Sequence, residues 1–258
     1  MPTLEELAEC LNTYLPLGEN ERRVERPGWV LYLGAGGNHP AFTVVQRFYL
    51  GDDEVDVAVE EIRGLLEQHG RKQSTWEIGP SSTPSNLVDR LLTLGLKRYE
   101  EPVATGMVLR KTLTIKPGMA TARKAETVDD YVHAFEILNT VFKEREESNE
   151  ARRARAEKQL QRDRAGSGAM FLALLQDYPV AAGGCVHVDD AVVLGGAATL
   201  EQFRGHGAYH ALTRVRYQHA VQRGAEGLVI QAGAMSKPIL EKVGFESVAE
   251  VQLLIDGA

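Results

Sequence analysis

Arg204, Gly205 and Gly207 sit together in the stretch FRGHGAYHAL, Phe203 to Leu212, directly ahead of what reads as an amphipathic helix. An arginine and bare backbone at a helix start suit an anion. The first turn of a helix leaves about four N–H groups without intrahelical partners, its dipole presents positive charge there, and glycine lets a phosphate approach that backbone closely. Two phosphate loops can be checked against this spacing. A Walker loop needs Gly-Lys-Ser/Thr, and a dinucleotide fingerprint needs glycine where this chain has His210. Neither fits. The strand-like runs ahead of the loop are joined by tight turns and so read as antiparallel, unlike a Rossmann sheet.

Other residues with chemical potential are more ambiguous. Cys185, His187 and Asp189 alternate along one strand and share a face, which is the raw material of a metal site. Three ligands so close on one strand rarely converge, however, and Asp189-Asp190 reads as a hairpin turn, so no metal is expected. His206 and His210 stand at i, i+4, but His206 occupies a loop position and reads as solvent-exposed. From Lys143 to Arg164 the chain carries eight basic and six acidic residues, which reads as a solvated helix laced with i, i+4 ion pairs.

The elements around these residues follow from periodicity. In the first half a helix over TLEELAECLNTYL precedes two strands, GWVLYLGA and AFTVVQRFYL. Between them GAGGNHP has His39 at the third glycine slot of a dinucleotide motif and leads into a strand, so it reads as a turn. Val55, Ala58, Val59, Ile62, Leu65 and Leu66 recur at helical spacing, and Gly70 closes that helix. STWEIGP is a short strand, and TPSNLVDRLLTLG predicts a helix with Thr83 as N-cap, Pro84 at its first position and Gly95 past its end. ATGMVLRKTLTI is a further strand.

In the second half come a helix over VDDYVHAFEILNTVF, the charged segment, and three strands, AMFLALLQ, PVAAGGCVHV and AVVLGGAATL, turned at DYP and DD. The glycine loop then opens a helix whose apolar stripe is Ala208, Ala211, Leu212 and Val215 and which ends at Gly224. A strand GLVIQA, a short helix SKPILEKVG and a strand ESVAEVQLLI close the chain. The two halves end alike, which suggests a diverged internal repeat. The apolar pattern lapses around 116–127, and the domains are placed at 1–112 and 113–258.

Composition narrows the class. The 258 residues, 43% apolar and 25% charged, are those of a globular protein, and no apolar run approaches the roughly 20 residues of a membrane span. The acidic start MPTLEELAECLNTYL is unlike a secretory signal, so a cytoplasmic protein with no membrane partner is expected. With only Cys10 and Cys185, neither a disulfide framework nor a CxxC site is available. A net charge of -7 argues against a nucleic-acid partner.

ATLEQFRGHGAYHALTRVRYQHAVQRG followed by GLVIQAGAMSKPILEKVGF resembles the acetyl-CoA-binding core of the Gcn5-related N-acetyltransferases, the GNAT superfamily, whose signature is Arg/Gln-x-x-Gly-x-Gly/Ala between strand and helix. Arg204 and Gly207 take the first two fixed positions, and Tyr209 stands where the family has a small residue. The resemblance covers 113–258, and the first half is similar to the degenerate partner domain of tandem members. It implies an α+β protein of two GNAT-like domains, each a mixed, mainly antiparallel sheet flanked by helices.

The resemblance further implies that the amides of Gly205, His206, Gly207, Ala208 and Tyr209, with Arg204, cradle the pyrophosphate of coenzyme A. Ala198, Thr199 and Leu200 would pair with the pantetheine arm, the Leu200 N–H would polarise the thioester carbonyl, and Ser236 would contact the coenzyme unless it only caps its helix. An amine acceptor would attack acetyl-CoA directly, without a covalent enzyme intermediate. The catalytic groups are open. AVVLGGAATL holds no acid and Glu201 lies past its end; Leu240 stands where the family often has a proton-donating tyrosine; Tyr209 could serve as that acid but suits packing better. The charged segment would border the acceptor site, where Glu144, Glu146, Glu147 and Glu150 could meet a cationic substrate. A non-catalytic acyl-CoA-binding or regulatory module is the alternative reading.

Overall fold

The computed structural model describes residues 1–35, 37–116, 118–143 and 147–257. In chain order its elements are α1 (Leu4–Glu9), α2 (Leu11–Tyr14), β1 (Arg22–Arg26), β2 (Trp29–Leu33), β3 (Thr43–Gln46), α3 (Val55–Gln68), β4 (Ser74–Ile78), α4 (Leu87–Thr93), β5 (Lys97–Leu109) and β6 (Thr121–Lys124). They continue with α5 (Val128–Phe142), α6 (Asn149–Arg164), β7 (Gly168–Leu175), β8 (Tyr178–Val188), β9 (Ala191–Thr199), α7 (Ala208–Gln222), β10 (Gly227–Ala232), α8 (Lys237–Lys242) and β11 (Glu246–Asp256). The chain forms two compact units. The first comprises Met1–Val108, Gln231–Glu241 and Glu246–Ala258, the second Leu109–Ile230 and Lys242–Phe245.

In the first unit β1, β2 and β3 form an antiparallel meander, β4 runs parallel to β3, and β11 pairs antiparallel with β4 and with β5. The last strand therefore closes the sheet of the first unit, although it lies at the end of the second half of the sequence. The pairing is decided by register: Gln252 to Asp256 face Ile78 to Ser74, which seats Leu254 in a core with Leu31, Val45, Trp76, Ile62 and Leu91. Phe48 stacks on Trp76 at a ring separation of 5.4 Å. Helix α3 turns Val55, Ala58, Val59, Ile62 and Leu66 inward as its 3.6-residue period requires, and Gly70 ends it at φ +63°.

Two helix boundaries differ from the sequence expectation. The first helix is broken at Cys10, whose φ of -132° and ψ of 61° lie outside the helical region, so α1 and α2 are separate. Helix α4 starts at Leu87 with Asn86 as N-cap, because Thr83 stays extended and donates its N–H to Phe48 O at 2.9 Å.

The second unit is a sheet in the order β10, β9, β8, β7, β6, antiparallel except for β9 with β10. Helix α7 packs on β6 to β9, and α5 on β7 to β9. Thr127 caps α5 by accepting the Asp130 N–H while Asp130 reaches back to the Thr127 N–H, a capping box, and Arg123 grips the same carboxylate at 2.6 Å. Helix α6 is stapled by Glu147, which accepts from Arg155 and from Asn139, and by Arg155 stacked over Phe135 at 3.6 Å. Of the expected i, i+4 ion pairs, Arg153–Glu157 is formed at 3.7 Å. Among the described residues, no helix is long and apolar enough to cross a membrane.

Candidate functional site

Between β9 and α7 the backbone makes one short 3-10 turn, Glu201–Phe203, and then takes two left-handed residues, Gly205 at φ +80° and Gly207 at φ +83°. A side chain is strained at such φ values, whereas glycine is not. Gly207 is the N-cap of α7; no side chain caps that helix and its first turn holds no acid. The first helical bond runs from Ala211 N–H to Gly207 O at 2.9 Å. Among the described residues, no backbone acceptor engages the amides of Gly205, His206, Gly207 or Ala208. Arg204 and His206 are exposed, and the His206 Nδ1–H donates to Arg204 O at 2.9 Å, which turns that imidazole back on the loop. His206 precedes the helix that carries His210, so the two do not share a helical face.

The strand that leads into this loop is bent. Ala181, Ala182 and Gly183 face Thr199, Ala198 and Ala197, but Cys185 faces Leu194, so β9 carries one residue more than β8 at Gly195-Gly196, a bulge. Pairing of β9 with β10 covers only Ala191 to Val193. Beyond the bulge, no described strand pairs with that edge of β9. The parity of that edge follows from one bond: Leu200 N–H donates to Val180 O at 2.9 Å. Alternation along an antiparallel ladder then directs the amides of Ala198 and Leu200 to β8 and those of Ala197 and Thr199 to the open edge. This corrects the role read for the Leu200 N–H, which is already engaged. The Thr199 Oγ1 is buried and has no hydrogen-bond partner among the described residues.

Sequence reasoning missed Arg216. The stripe expected along α7 ends in Val215, yet Val215 is half-buried while Arg216 is fully buried. Its Nη1 donates to Gly184 O at 3.4 Å and Gly195 O at 3.3 Å, two carbonyls at the bulge, and its Nε to Leu212 O. Burial lowers its pKa; the neighbours that oppose this are the Tyr209 hydroxyl and the Cys185 thiol. Tyr209 thus points along the helix toward Arg216. No signal in a charged residue at this spacing would have placed it inside.

Cys185 and His187 do share a face of β8, as their spacing predicts, and Asp189 leaves it by turning into the exposed hairpin at φ +47°. A third side chain joins them from α7, since His219 Nε2 lies 3.0 Å from His187 Nε2. Burial pushes the Cys185 thiol up to about 11 and holds His219 down at about 4.

The remaining candidates are scattered. Ser236 belongs to the first unit, and its hydroxyl donates to Gly233 O at 3.2 Å instead of capping α8. Leu240 is completely buried. Glu147 is held by Arg155, Glu150 is exposed, and Glu144 and Glu146 lie outside the described residues. In the first unit, Glu77 on β4 is buried between the carboxamides of Gln46 and Gln231, and burial raises its pKa to about 7. It lines a cleft with Asn12, Thr75 and Tyr99.

The fold was compared with known proteins. A Gcn5-related N-acetyltransferase from Kribbella flavida superposes over 100% of this chain and 97% of its own with a TM-score of 0.70 at 18% identity. A tandem GNAT protein from the clavulanic acid biosynthesis pathway matches 99% of this chain and 88% of its own with a TM-score of 0.63 at 14% identity. A Gcn5-related N-acetyltransferase from Sphaerobacter thermophilus matches 89% and 80% with a TM-score of 0.65 at 16% identity. The chain has the tandem GNAT fold. No protein-family model and no curated protein matches its sequence. The loop 204–209 joins β9 to α7 in the second unit, and the first unit has the same α+β layering with a different loop.

Proposed function

We propose that the second unit binds a coenzyme A thioester and that the protein transfers its acetyl group to a primary amine. One observation carries this reading: α7 begins with left-handed glycines, uncapped amides and no acid in its first turn. A diphosphate placed there would accept from the amides of Gly205 to Ala208, with the Tyr209 amide next in line, and meet the dipole and Arg204. From that point the pantetheine arm would run along the uncovered edge of β9 past Ala198, Thr199 and Leu200, pairing as an added strand with the main chain of Ala197 and Thr199. The Thr199 amide would be the donor nearest a thioester carbonyl, and the orphaned Thr199 Oγ1 marks a place where a polar ligand atom fits.

The acceptor amine must be neutral to attack, and β7, β8 and β9 contain no carboxylate. Direct attack on the thioester forms the amide bond, breaks the C–S bond and releases coenzyme A with the amine's proton. Together with a fully buried Leu240, the acid-free strands favour a second reading, a non-catalytic acyl-CoA-binding module. We propose a cytoplasmic location, with which two free, buried cysteines are compatible.

Titration of the full chain with acetyl-CoA, followed by thiol release across an amine panel, separates the readings. The expected result is stabilisation by acetyl-CoA, about 2.7 kcal/mol at a hundred times the Kd, with release of coenzyme A for at least one amine. Saturable binding without thiol release selects the binding module. Stabilisation by ATP with none by coenzyme A rejects both.

A further inference from the structure

We infer that Cys185, His187 and His219 form a binding site for a borderline-soft divalent cation, zinc being the natural occupant. The three ligand atoms, Cys185 Sγ and the two Nε2 atoms, lie within 4.8 Å of one another. The individual separations are 3.0 Å between His187 Nε2 and His219 Nε2 and 4.0 Å between Cys185 Sγ and His187 Nε2. A tetrahedral zinc with Zn–N of about 2.0–2.1 Å and Zn–S of about 2.3 Å needs N···N of about 3.3 Å and S···N of about 3.6 Å. The two pairs that include His187 lie within about 0.4 Å of these values, and rotation of partly exposed His219 brings its Nε2, within 4.8 Å of Cys185 Sγ, to ligand distance.

The arrangement around the ligands is what such a site requires. His187 Nδ1–H donates to Gly166 O at 2.7 Å, which fixes the tautomer and leaves the Nε2 lone pair aimed at the cluster. His219 is braced by the edge of Phe171 at 5.5 Å. Cys185 is buried while the imidazoles are half-exposed, so an ion has a way in and room for a water as a fourth ligand. A thiolate at Cys185 would also place a negative charge beside the buried Arg216. Binding costs one proton, which leaves the thiol for solvent, while the proton now bridging the imidazoles moves to His219 Nδ1. Lys124 and Arg223 lie near both imidazoles, and the Asp163 carboxylate lies near His187 and Cys185, so the thiolate and Asp163 together oppose those cations.

The site is separate from the glycine loop. His219 follows Tyr209 by ten residues of one helix, about 15 Å along its axis. Its test therefore does not depend on acyl-CoA chemistry.

The experiment strips the full chain with a chelator, dialyses it against zinc chloride, removes free metal by desalting and measures zinc by mass spectrometry. A parallel sample takes cobalt(II), whose thiolate-to-metal absorption reports sulfur ligation. The expected result is about one ion per chain with a cobalt–thiolate band, and loss of both in Cys185→Ser and in His219→Gln, with Cys10→Ser unchanged. His219 is half-exposed, so His219→Gln keeps the test decisive where Cys185→Ser fails to fold. A wild-type protein that retains no more zinc than His219→Gln, or a cobalt spectrum without the thiolate band, overturns the inference and leaves the pair as an imidazole–imidazole hydrogen bond.

Discussion

Both units carry a strand, a loop and an amphipathic helix at the same topological place, and the two helix starts are built in opposite ways. In the first unit β3 leads through 47–54 into α3, with β4 parallel to β3; in the second β9 leads through 200–207 into α7, with β10 parallel to β9. Ahead of α3 stand Asp52, Asp53 and Glu54, and Glu54 turns back to accept the Gly51 N–H at 2.6 Å. Ahead of α7 stand Arg204, Gly205 and Gly207, with no acid in the first turn and no side-chain cap. One helix satisfies its dipole from its own sequence; the other begins with neither an acid nor a side-chain cap. An anion site is thus as much a matter of which carboxylates are missing as of which glycines are present.

The largest expected effect breaks this comparison at α7. Gly207→Glu puts a carboxylate where the first unit already has one and forces a side chain to φ +83°. Loss of two charge-assisted bonds to a phosphate is worth about 3 kcal/mol, so coenzyme A affinity should fall about 100-fold. Gly207→Ala shares the backbone strain without the charge and should lose much less. Equal losses in the two variants, read by isothermal titration, would show that backbone geometry and not electrostatics makes the site.

A second contrast lies in the buried charges. The first unit buries an acid, Glu77, with carboxamide donors, whereas the second buries a base, Arg216, with carbonyl acceptors. Their acids also respond oppositely to pH. Glu77 has a folded pKa of about 7, above the 4.5 of a free glutamate, so between these values the native state holds a proton that the unfolded state has lost. Stability from this group is then full below pH 4.5 and declines as pH rises to about 7, by about 3 kcal/mol. Asp130, paired with Arg123, has its pKa lowered, so its contribution is present above the ordinary aspartate value and fades in acid. Glu77→Gln should match the wild type near pH 4.5 and exceed it by up to about 3 kcal/mol at pH 8, measured by urea unfolding. A difference that stays constant across that range would remove the buried, protonated acid from the account.

These contrasts were unevenly visible in the sequence. The glycine loop and the amphipathic α3 follow from local spacing, because each depends on residues a few positions apart, whereas the layering of both units was implied by the resemblance to the GNAT superfamily. Arg216 did not, since a charged residue in a helical stripe reads as solvent-facing until the bulge at Gly195-Gly196 supplies carbonyls for it. The same bulge sets which amides of β9 face outward, and Leu200 N–H, expected at the open edge, is turned to Val180 O instead. His219 meets Cys185 and His187, and β11 meets β4, only through tertiary pairing, to which periodicity is blind.

The smallest effect sharpens the comparison from the other side. Neutralising the acidic start of α3 with Asp52→Asn, Asp53→Asn and Glu54→Gln removes favourable charge–dipole interactions and the Gly51 cap from an exposed helix start. Screened and solvated as they are, these should sum to about 1 kcal/mol of stability. If α7 alone holds the coenzyme, affinity for coenzyme A should stay at the wild-type value while the melting temperature falls by a few degrees. A triple variant that gains a second equivalent of coenzyme A would show that the acids of α3 act chiefly to repel the ligand, and one that loses the first would move the site to the other unit.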